Sequence, residues 1–261
     1  MNPVATPPPD VRLMNMTASA LVVAFMVLGL GAVARAVSHL PMFDIRRISI
    51  AGPLEHSNEV TLKANVGTRT QGSFFSVDLA RVQAAFESVP WVRRAVVHRG
   101  FPNQLQVELQ EHVVAGYWGG DDDARLINSY GEVFEANVGE VDQDTLPRLL
   151  GPEGQSAEVL TMYRVVAPLF ARMEMPVEQL ELTGRGSWRT RLDTGAEIEL
   201  GRGSPEEVVA RTHRFLKTLT QVTSRYGRQV NAVDAADLRH ENGYAVRLRG
   251  ISTVATDSSK K

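Results

Sequence analysis

The chain has 261 residues, of which 43% are hydrophobic and 22% are charged, a composition typical of folded globular proteins. Its formal net charge is -2, so it lacks the excess of positive charge that nucleic-acid-binding proteins usually carry, and no nucleic-acid partner is expected. It has no cysteine, which excludes disulfide bonds, thiolate metal ligands and cysteine nucleophiles.

The amino-terminal part of the chain contains one long apolar segment. Residues 1–15 are rich in proline and are predicted to form a flexible tail. Met16 to Ala34 has no charged residue and is long enough, as a helix, to cross the apolar core of a bilayer. We therefore predict a transmembrane helix over residues 16–37. Two alternatives stay open: a signal peptide cleaved near Arg35, and a buried core helix.

The charges that flank this segment do not fix its orientation. Arg12 lies on its amino-terminal side, and Arg35, Arg46 and Arg47 lie on the other side. The positive-inside rule thus points slightly against a cytoplasmic amino terminus, but long domains are translocated largely regardless of such charges. The flanking charges therefore leave the membrane orientation of this helix undetermined.

Residues 43 to 110 alternate between strand-like and helix-like patterns. Apolar positions recur every second residue in some segments and every third or fourth residue in others. The predicted order is strand, helix, helix, strand, strand, at residues 43–50, about 57–66, 79–89 after an Asp78 cap, 91–99 and 104–110. An α+β unit of this size needs its helices on one face of the sheet to form a core.

The rest of the chain is predicted to be a second α+β region. Strands are expected at residues 126–127, 132–134, 177–183, 188–192, 197–200, 230–234 and 243–249. One helix is predicted from Glu158 to Met173, and Pro168 is expected to kink or split it. Another helix begins at a capping box, with Ser204 as the cap and Glu207 three residues later. The polar residues 252–261 are expected to be disordered.

No catalytic or metal-binding motif occurs in the chain. The six histidines have no metal-ligand spacing, and nucleophile-elbow, Walker and dinucleotide-binding motifs are missing from the sequence. The acidic run Asp121–Asp123 is interpreted as a solvated loop, and Gly201–Ser204 as a strand-to-helix turn. The prediction is no catalytic residue, metal, cofactor or small-molecule substrate, and so no enzyme. A catalytic group assembled from distant residues would leave no such motif.

Several sequence segments resemble a known family. The segments FDIRRISIAG (43–52) and FFSVDLARVQAAFESVPWVRRAVVHRGFPNQLQVEL (74–109), followed by Glu111, resemble a POTRA domain. The later segments resemble the second domain of the FtsQ/DivIB division family, namely INSYGEVF (127–134), LLGPEG (149–154), WRTRLDTGAEIELGRG (188–203) and VDAADLRHENGYAVRLRG (233–250).

The resemblance implies an α+β fold with one amino-terminal transmembrane helix. A POTRA domain (βααββ) is expected at residues 43–113, and a β-domain, an extended sheet packed by helices, at residues 114–251. It also implies a single-pass type II protein of the cell inner membrane. The amino terminus would be cytoplasmic, the domains periplasmic, and the protein concentrated at the division septum.

The resemblance further implies a role as an essential-type divisome scaffold that links early and late division proteins. Its β-domain would recruit the FtsB–FtsL complex, and a segment of FtsB would add a strand beside the last strand of the sheet. Other divisome proteins would bind the POTRA domain, with residues 82–94 as the expected surface, and the transmembrane helix.

Seven residues are predicted to bind the partner, all carried over from the resemblance: Arg239, His240, Asn242, Gly243, Tyr244, Val246 and Leu248. Arg239 is expected to pair with an acidic group, and His240 to take a place usually filled by an aromatic ring. Leu248 stands where the family often has tryptophan, and Tyr244 is expected to supply the lost aromatic area.

Two other functional classes stay open. One is a POTRA-bearing outer-membrane assembly or secretion factor. Such proteins usually continue into a barrel or carry several POTRA repeats, and neither pattern follows Leu109. The other is a periplasmic enzyme released by signal cleavage near Val37.

Overall fold

The computed structural model describes residues 9–38, 40–67, 72–120, 125–141, 146–240 and 243–251. The chain divides into two compact units, residues 1–111 and 112–261. The predicted α+β fold with one long apolar helix is confirmed. The predicted disordered tail, residues 252–261, lies outside the described residues.

The amino-terminal helix α1 spans Pro9–Ser38. It begins earlier than the predicted Met16, so the prediction of a flexible tail is wrong for residues 9–15. Proline fits the first position of a helix because the N–H that it lacks has no intrahelical partner there. The segment Leu13–Ser38 is long and apolar enough to cross a membrane, and none of its most apolar window is buried. That exposure argues against the buried core helix.

The rest of the first unit, as far as the structure describes it, is a three-stranded sheet covered by two α-helices. The elements are β1 Arg47–Ala51, α2 Glu59–Gly67, α3 Leu79–Glu87, β2 Val92–Gly100 and β3 Gln104–Glu111. The sheet order is β1-β3-β2, with β1 parallel and β2 antiparallel to β3. Leu62 of α2 and Phe86 of α3 pack with Leu105 and Val107 of β3 in the core.

Two sequence features place these helices. The Asp78 carboxylate accepts hydrogen bonds from the backbone N–H groups of Ala80 and Arg81, at 3.0 and 3.2 Å, and so caps α3 as predicted. The predicted first strand is partly wrong, since β1 begins at Arg47 and not at Phe43. Residues Pro41–Phe43 form a 3₁₀ turn that buries the Phe43 ring.

In its described residues, the second unit is a nine-stranded sheet with two α-helices. Its strands are β4 Val114–Trp118, β5 Arg125–Asn128, β6 Val133–Phe134, β7 Arg148–Leu150, β8 Val177–Leu182, β9 Trp188–Leu192, β10 Glu197–Gly201, β11 Val233–Asp237 and β12 Ala245–Leu248. Their order is β12-β11-β10-β9-β8-β7-β4-β5-β6. The helices are α4 Ser156–Ala171 and α5 Pro205–Arg225. Apolar side chains of both helices and of the strands form one core.

The capping box at the start of α5 is confirmed. The Ser204 hydroxyl accepts the N–H of Glu207 at 3.4 Å, and the Glu207 carboxylate accepts the N–H of Ser204 at 3.0 Å. Val208 and Phe215 of the predicted apolar stripe are buried. Tyr226 is exposed because α5 ends one residue before it.

Two predicted elements of this unit differ from the structure. Pro168 does not split α4, which is one helix. Proline removes the hydrogen bond to the Arg164 carbonyl, but both residues lie on the exposed side of the helix, where water can satisfy that carbonyl. The strand predicted at 230–234 begins only at Val233, because residues Val230–Ala232 form a 3₁₀ turn.

Candidate functional site

The last strand lies at an edge of the nine-stranded sheet. Among the described residues, β12 pairs with β11 alone, antiparallel, with Ala245 opposite Asp237 and Arg247 opposite Ala235. The other side of β12 therefore carries main-chain groups that no described strand covers. Such groups can hydrogen-bond to an additional strand.

Arg239 follows β11 and is exposed. Its Nε donates to Asp237 Oδ1 at 2.9 Å and its Nη2 donates to Asp237 Oδ2 at 2.6 Å. These hydrogen bonds are the main reason that the pKa of Asp237 is lowered to about 2. The ion pair holds the guanidinium beside the end of β11.

Arg239 also borders a cleft of about 560 Å³. The cleft is lined by Thr183, Arg185, Ser187, Arg189, Glu199, Gly201, Arg202, Arg211 and Arg239. Five of these residues are arginines and one is an acid, so the lining carries an excess of positive charge. Arg189 is engaged with Glu199, its Nε to Oε1 distance being 2.7 Å. The cleft can therefore accept an acidic group.

Sequence reasoning found Arg239 but missed Arg185, Arg202 and Arg211. These residues come from the β8–β9 turn, the β10–α5 turn and α5, respectively. No spacing in the sequence indicates that they meet. The Gly201–Ser204 segment is the predicted strand-to-helix turn, and the open side of that turn contributes to the cleft.

The remaining predicted residues have different surroundings. His240 is exposed beside Arg239, and Gly243 is partly buried just before β12. Asn242 lies outside the described residues. Tyr244 is engaged within the domain: its hydroxyl is 2.8 Å from the Thr218 hydroxyl, and its ring packs edge-on against Phe215 at 5.0 Å.

Two predicted residues of β12 itself face the core side of the sheet. Val246 is partly buried and packs against the core, and Leu248 is buried within it. These side chains fix the strand, so what they offer a partner is mainly their main chain. Leu248 can fill this place because a core position needs apolar volume rather than an aromatic ring.

The opposite face of β12 borders a shallow depression of about 270 Å³. Its floor is formed by small side chains, those of Ala235 and Ala245. Charged side chains surround it, including Glu197, Asp237 and Arg247. The floor is open enough to hold an apolar side chain from a neighbouring strand.

Metal-ligand geometry does not occur in the described part of the chain, where no group of three or more histidine and acidic side chains converges. Asp121–Asp123 fall outside that part. Trp91, Trp118 and Trp188 are buried, as predicted for core residues.

Two family models match the chain. Residues 43–112 match a model described as POTRA domain, FtsQ-type, and residues 116–239 match one described as Cell division protein FtsQ/DivIB, C-terminal. A protein of Burkholderia pseudomallei named Cell division protein FtsQ is 39% identical over 254 residues, covering 97% of this chain and 99% of its own. The chain belongs to the FtsQ/DivIB family. It is thus related to cell-division proteins.

Further relatives carry the same name. The FtsQ of Thiomonas arsenitoxydans is 37% identical, over 94% of this chain and 89% of its own length. The FtsQ of Bordetella pertussis is 34% identical, over 96% of each chain. Together with α1, membership of the FtsQ/DivIB family indicates a single-pass membrane protein with a role in the divisome. The match to the C-terminal family model ends at Arg239, so the β12 residues lie beyond the part of the chain that this model covers.

Proposed function

We propose that this chain is an essential-type divisome scaffold that links early and late division proteins and recruits the FtsB–FtsL complex by β-strand addition at β12. The observation that carries the proposal is the position of β12 at the sheet edge. Strand addition needs such an edge for main-chain hydrogen bonds and nearby side-chain pockets for specificity.

The surroundings of the edge fit an acidic, partly apolar strand. An acidic side chain of the partner would bind Arg239 or the arginine-lined cleft, where it gains charge-assisted hydrogen bonds. An apolar side chain would pack on the Ala235–Ala245 floor. The alternative of an outer-membrane assembly factor has no comparable support, because residues 116–239 match the FtsQ/DivIB domain.

We further propose that the amino terminus is cytoplasmic, that both domains are periplasmic and that the protein concentrates at the septum. Other divisome proteins would bind through α1 and through the POTRA domain. In that domain, residues 82–94 include part of α3 and the start of β2, a strand that pairs with β3 alone among the described strands. This surface thus also ends at a sheet edge.

The test measures binding of an FtsB peptide to the full-length chain in detergent micelles. The variants are Gly243→Pro, which removes a backbone donor and stiffens the approach to β12, and His240→Glu, which places an acid beside Arg239. Both are expected to weaken binding while the melting temperature of the β-domain stays unchanged. Tyr130→Glu is the matched control, because it adds an acid at another exposed aromatic position of this domain.

Unchanged affinity in both variants would contradict the assignment of the edge. If only Gly243→Pro unfolds, the affinity of His240→Glu alone tests the assignment of the edge. His240 is exposed, so its substitution leaves the core intact.

A further inference from the structure

Four phenylalanine rings cluster at one end of the POTRA domain. Phe43 lies 5.0 Å from Phe75 and 6.3 Å from Phe101 between ring centroids. Phe74 lies 5.2 Å from Phe75 and 5.9 Å from Phe101. We name these residues the aromatic end. They come from three parts of the chain: the segment after α1, the segment before α3, and the β2–β3 turn.

Main-chain hydrogen bonds hold these three segments together. The N–H of Phe74 donates to the Phe43 carbonyl at 2.7 Å, and the N–H of Arg46 donates to the Asn103 carbonyl at 3.0 Å. The rings are therefore presented on a fixed frame rather than on loose loops. Folding of the domain creates the cluster.

The aromatic end is only half covered by protein. Phe43 is buried, but Phe75 is 53% exposed and Phe101 is 75% exposed. Leu40 and Met42, which precede Phe43, are also exposed. Several large apolar side chains thus face outward at one place, and a contiguous exposed apolar patch of this kind marks an interaction surface.

The chain connects this surface closely to the end of α1. The N–H of Leu40 donates to the Val37 carbonyl at 3.1 Å, and the N–H of Phe43 donates to the Leu40 carbonyl at 3.0 Å. Five residues beyond Ser38 the chain reaches Phe43, and a fully extended chain of that length spans only about 18 Å. The aromatic end therefore stays near the place where a membrane-spanning α1 leaves the bilayer.

We propose that the aromatic end inserts into the interfacial layer of the lipid bilayer, on the side of the membrane that carries the POTRA domain. Amphipathic and aromatic groups gain from this layer because it accepts apolar surface next to polar headgroups. The exposed cations Arg46 and Arg47 follow Phe43 by three and four residues and can pair with lipid phosphates, and the exposed acid Asp44 opposes only part of their charge.

This insertion would give the POTRA domain a second attachment to the membrane besides α1. It would limit how far the domain can rotate about its short connection. The inference depends on α1 spanning the membrane and is independent of the partner proposed for β12.

The test uses the absence of cysteine from the chain, which allows single nitroxide labels. Phe101→Cys reports on the aromatic end. Val60→Cys is the control, because Val60 is 74% exposed, nearly as much as Phe101. Val60 lies at the other end of the domain: it follows the segment Glu55–Ser57, whose N–H groups bind Glu111 at the far end of β3. Leu21→Cys, within α1, gives the reading inside the bilayer.

Full-length protein is reconstituted in vesicles of phosphatidylethanolamine and phosphatidylglycerol, and label collisions with oxygen and with a water-soluble nickel complex are compared. Oxygen concentrates in the bilayer and the nickel complex in water. The oxygen-to-nickel ratio at position 101 is expected to exceed that at position 60 severalfold and to approach that at position 21. Equal ratios at 101 and 60 would overturn the proposal.

A second variant separates insertion from mere closeness. Phe75→Ser in the chain labelled at position 101 removes one exposed ring and leaves the connection to α1 unchanged. The ratio at 101 is expected to fall toward the value at 60. A ratio that stays high would show that the connection alone holds the label near the lipid, and the proposed role of the rings would be wrong.

Discussion

Arg239 and Asp237 form a two-pronged ion pair at the end of β11. Nε and Nη2 of the guanidinium donate to the two carboxylate oxygens, and the Arg239 N–H also donates to Oδ1 at 3.0 Å. A guanidinium has five N–H donors in a fixed plane, so this pairing leaves donors for a second acid. Asp237 thus orients the guanidinium of Arg239, the residue proposed to bind the partner. The remaining N–H donors can bind a carboxylate of the partner at the same time.

Asp237→Asn is expected to change how stability depends on pH. The pKa of Asp237 is lowered from 3.8 to about 2, chiefly by the Arg239 hydrogen bonds. Its charged form therefore contributes stability above pH 3.8, and this contribution is lost as the pH falls toward about 2. The difference in melting temperature between wild type and variant should be constant at higher pH and shrink over that interval.

Asp193→Asn, which removes an exposed acid from the β9–β10 turn, gives the reference for a simple loss of charge. If the difference in melting temperature between wild type and Asp237→Asn stays undiminished down to pH about 2, the proposed dependence of stability on the ionisation of Asp237 is wrong.

Arg239→Ala should weaken FtsB binding more than Arg239→Lys does. Alanine removes both the charge and the hydrogen bonds that are expected to stabilise the complex, whereas the exposed position of Arg239 keeps this contribution modest. Lysine keeps the charge but not the planar fork. Isothermal titration with an FtsB peptide measures the difference. Arg225→Ala, which removes an exposed cation at the end of α5, should bind like wild type, and equal affinity in all variants would argue against the proposed acid contact.

The local parts of this fold could be predicted because their causes are local. The Asp78 cap and the Ser204–Glu207 capping box each depend on residues within one helical turn. The extension of β11 beyond Asp234 could not be predicted in this way. Its residues Ala235 and Ala236 have low strand propensity, and they are extended because they pair with β10, about forty residues earlier in the chain.

The candidate site shows the same limit. The resemblance to the family pointed to Arg239, His240 and Gly243. Whether β12 lies at an edge depends on the strand order, and that order depends on pairing across the whole domain. Arg185 and Arg211 reach the cleft from separate elements. A single sequence carries no local signal for either relationship.

Glu111→Gln should destabilise the POTRA domain. The buried Glu111 carboxylate accepts the N–H groups of Glu55, His56 and Ser57 at 2.8, 3.1 and 2.8 Å. Burial raises its pKa, but the Ser57 hydroxyl and these three N–H groups together lower the pKa by more. Replacing the charged acceptor with an amide is expected to cost about 2 kcal/mol, because its NH₂ group cannot accept the bonds that one oxygen received.

Native-state hydrogen exchange of the β3 amides measures this cost within the domain. Glu108→Gln is the matched control, since Glu108 lies on the same strand with an exposed side chain. In Glu108→Gln, the opening free energy derived from exchange of the β3 amides should change by less than about 0.5 kcal/mol. Equal exchange in the two variants would show that the carboxylate of Glu111 does not hold residues 55–57.

Gly131→Ala should destabilise the β-domain more than Gly154→Ala. Both glycines have a positive φ, of 84° and 81°, so alanine is strained at either position by about 1 kcal/mol. At Gly131 the added Cβ would also lie 2.5 Å from the Cα of Ala157 in α4, whereas at Gly154 it would meet nothing within 4 Å. Because Ala157 Cα belongs to the helix backbone, relief requires α4 to move, and we expect about 1–3 kcal/mol of further loss. Urea unfolding followed by tryptophan fluorescence compares the two variants, and equal midpoints would show that α4 accommodates the methyl group without cost.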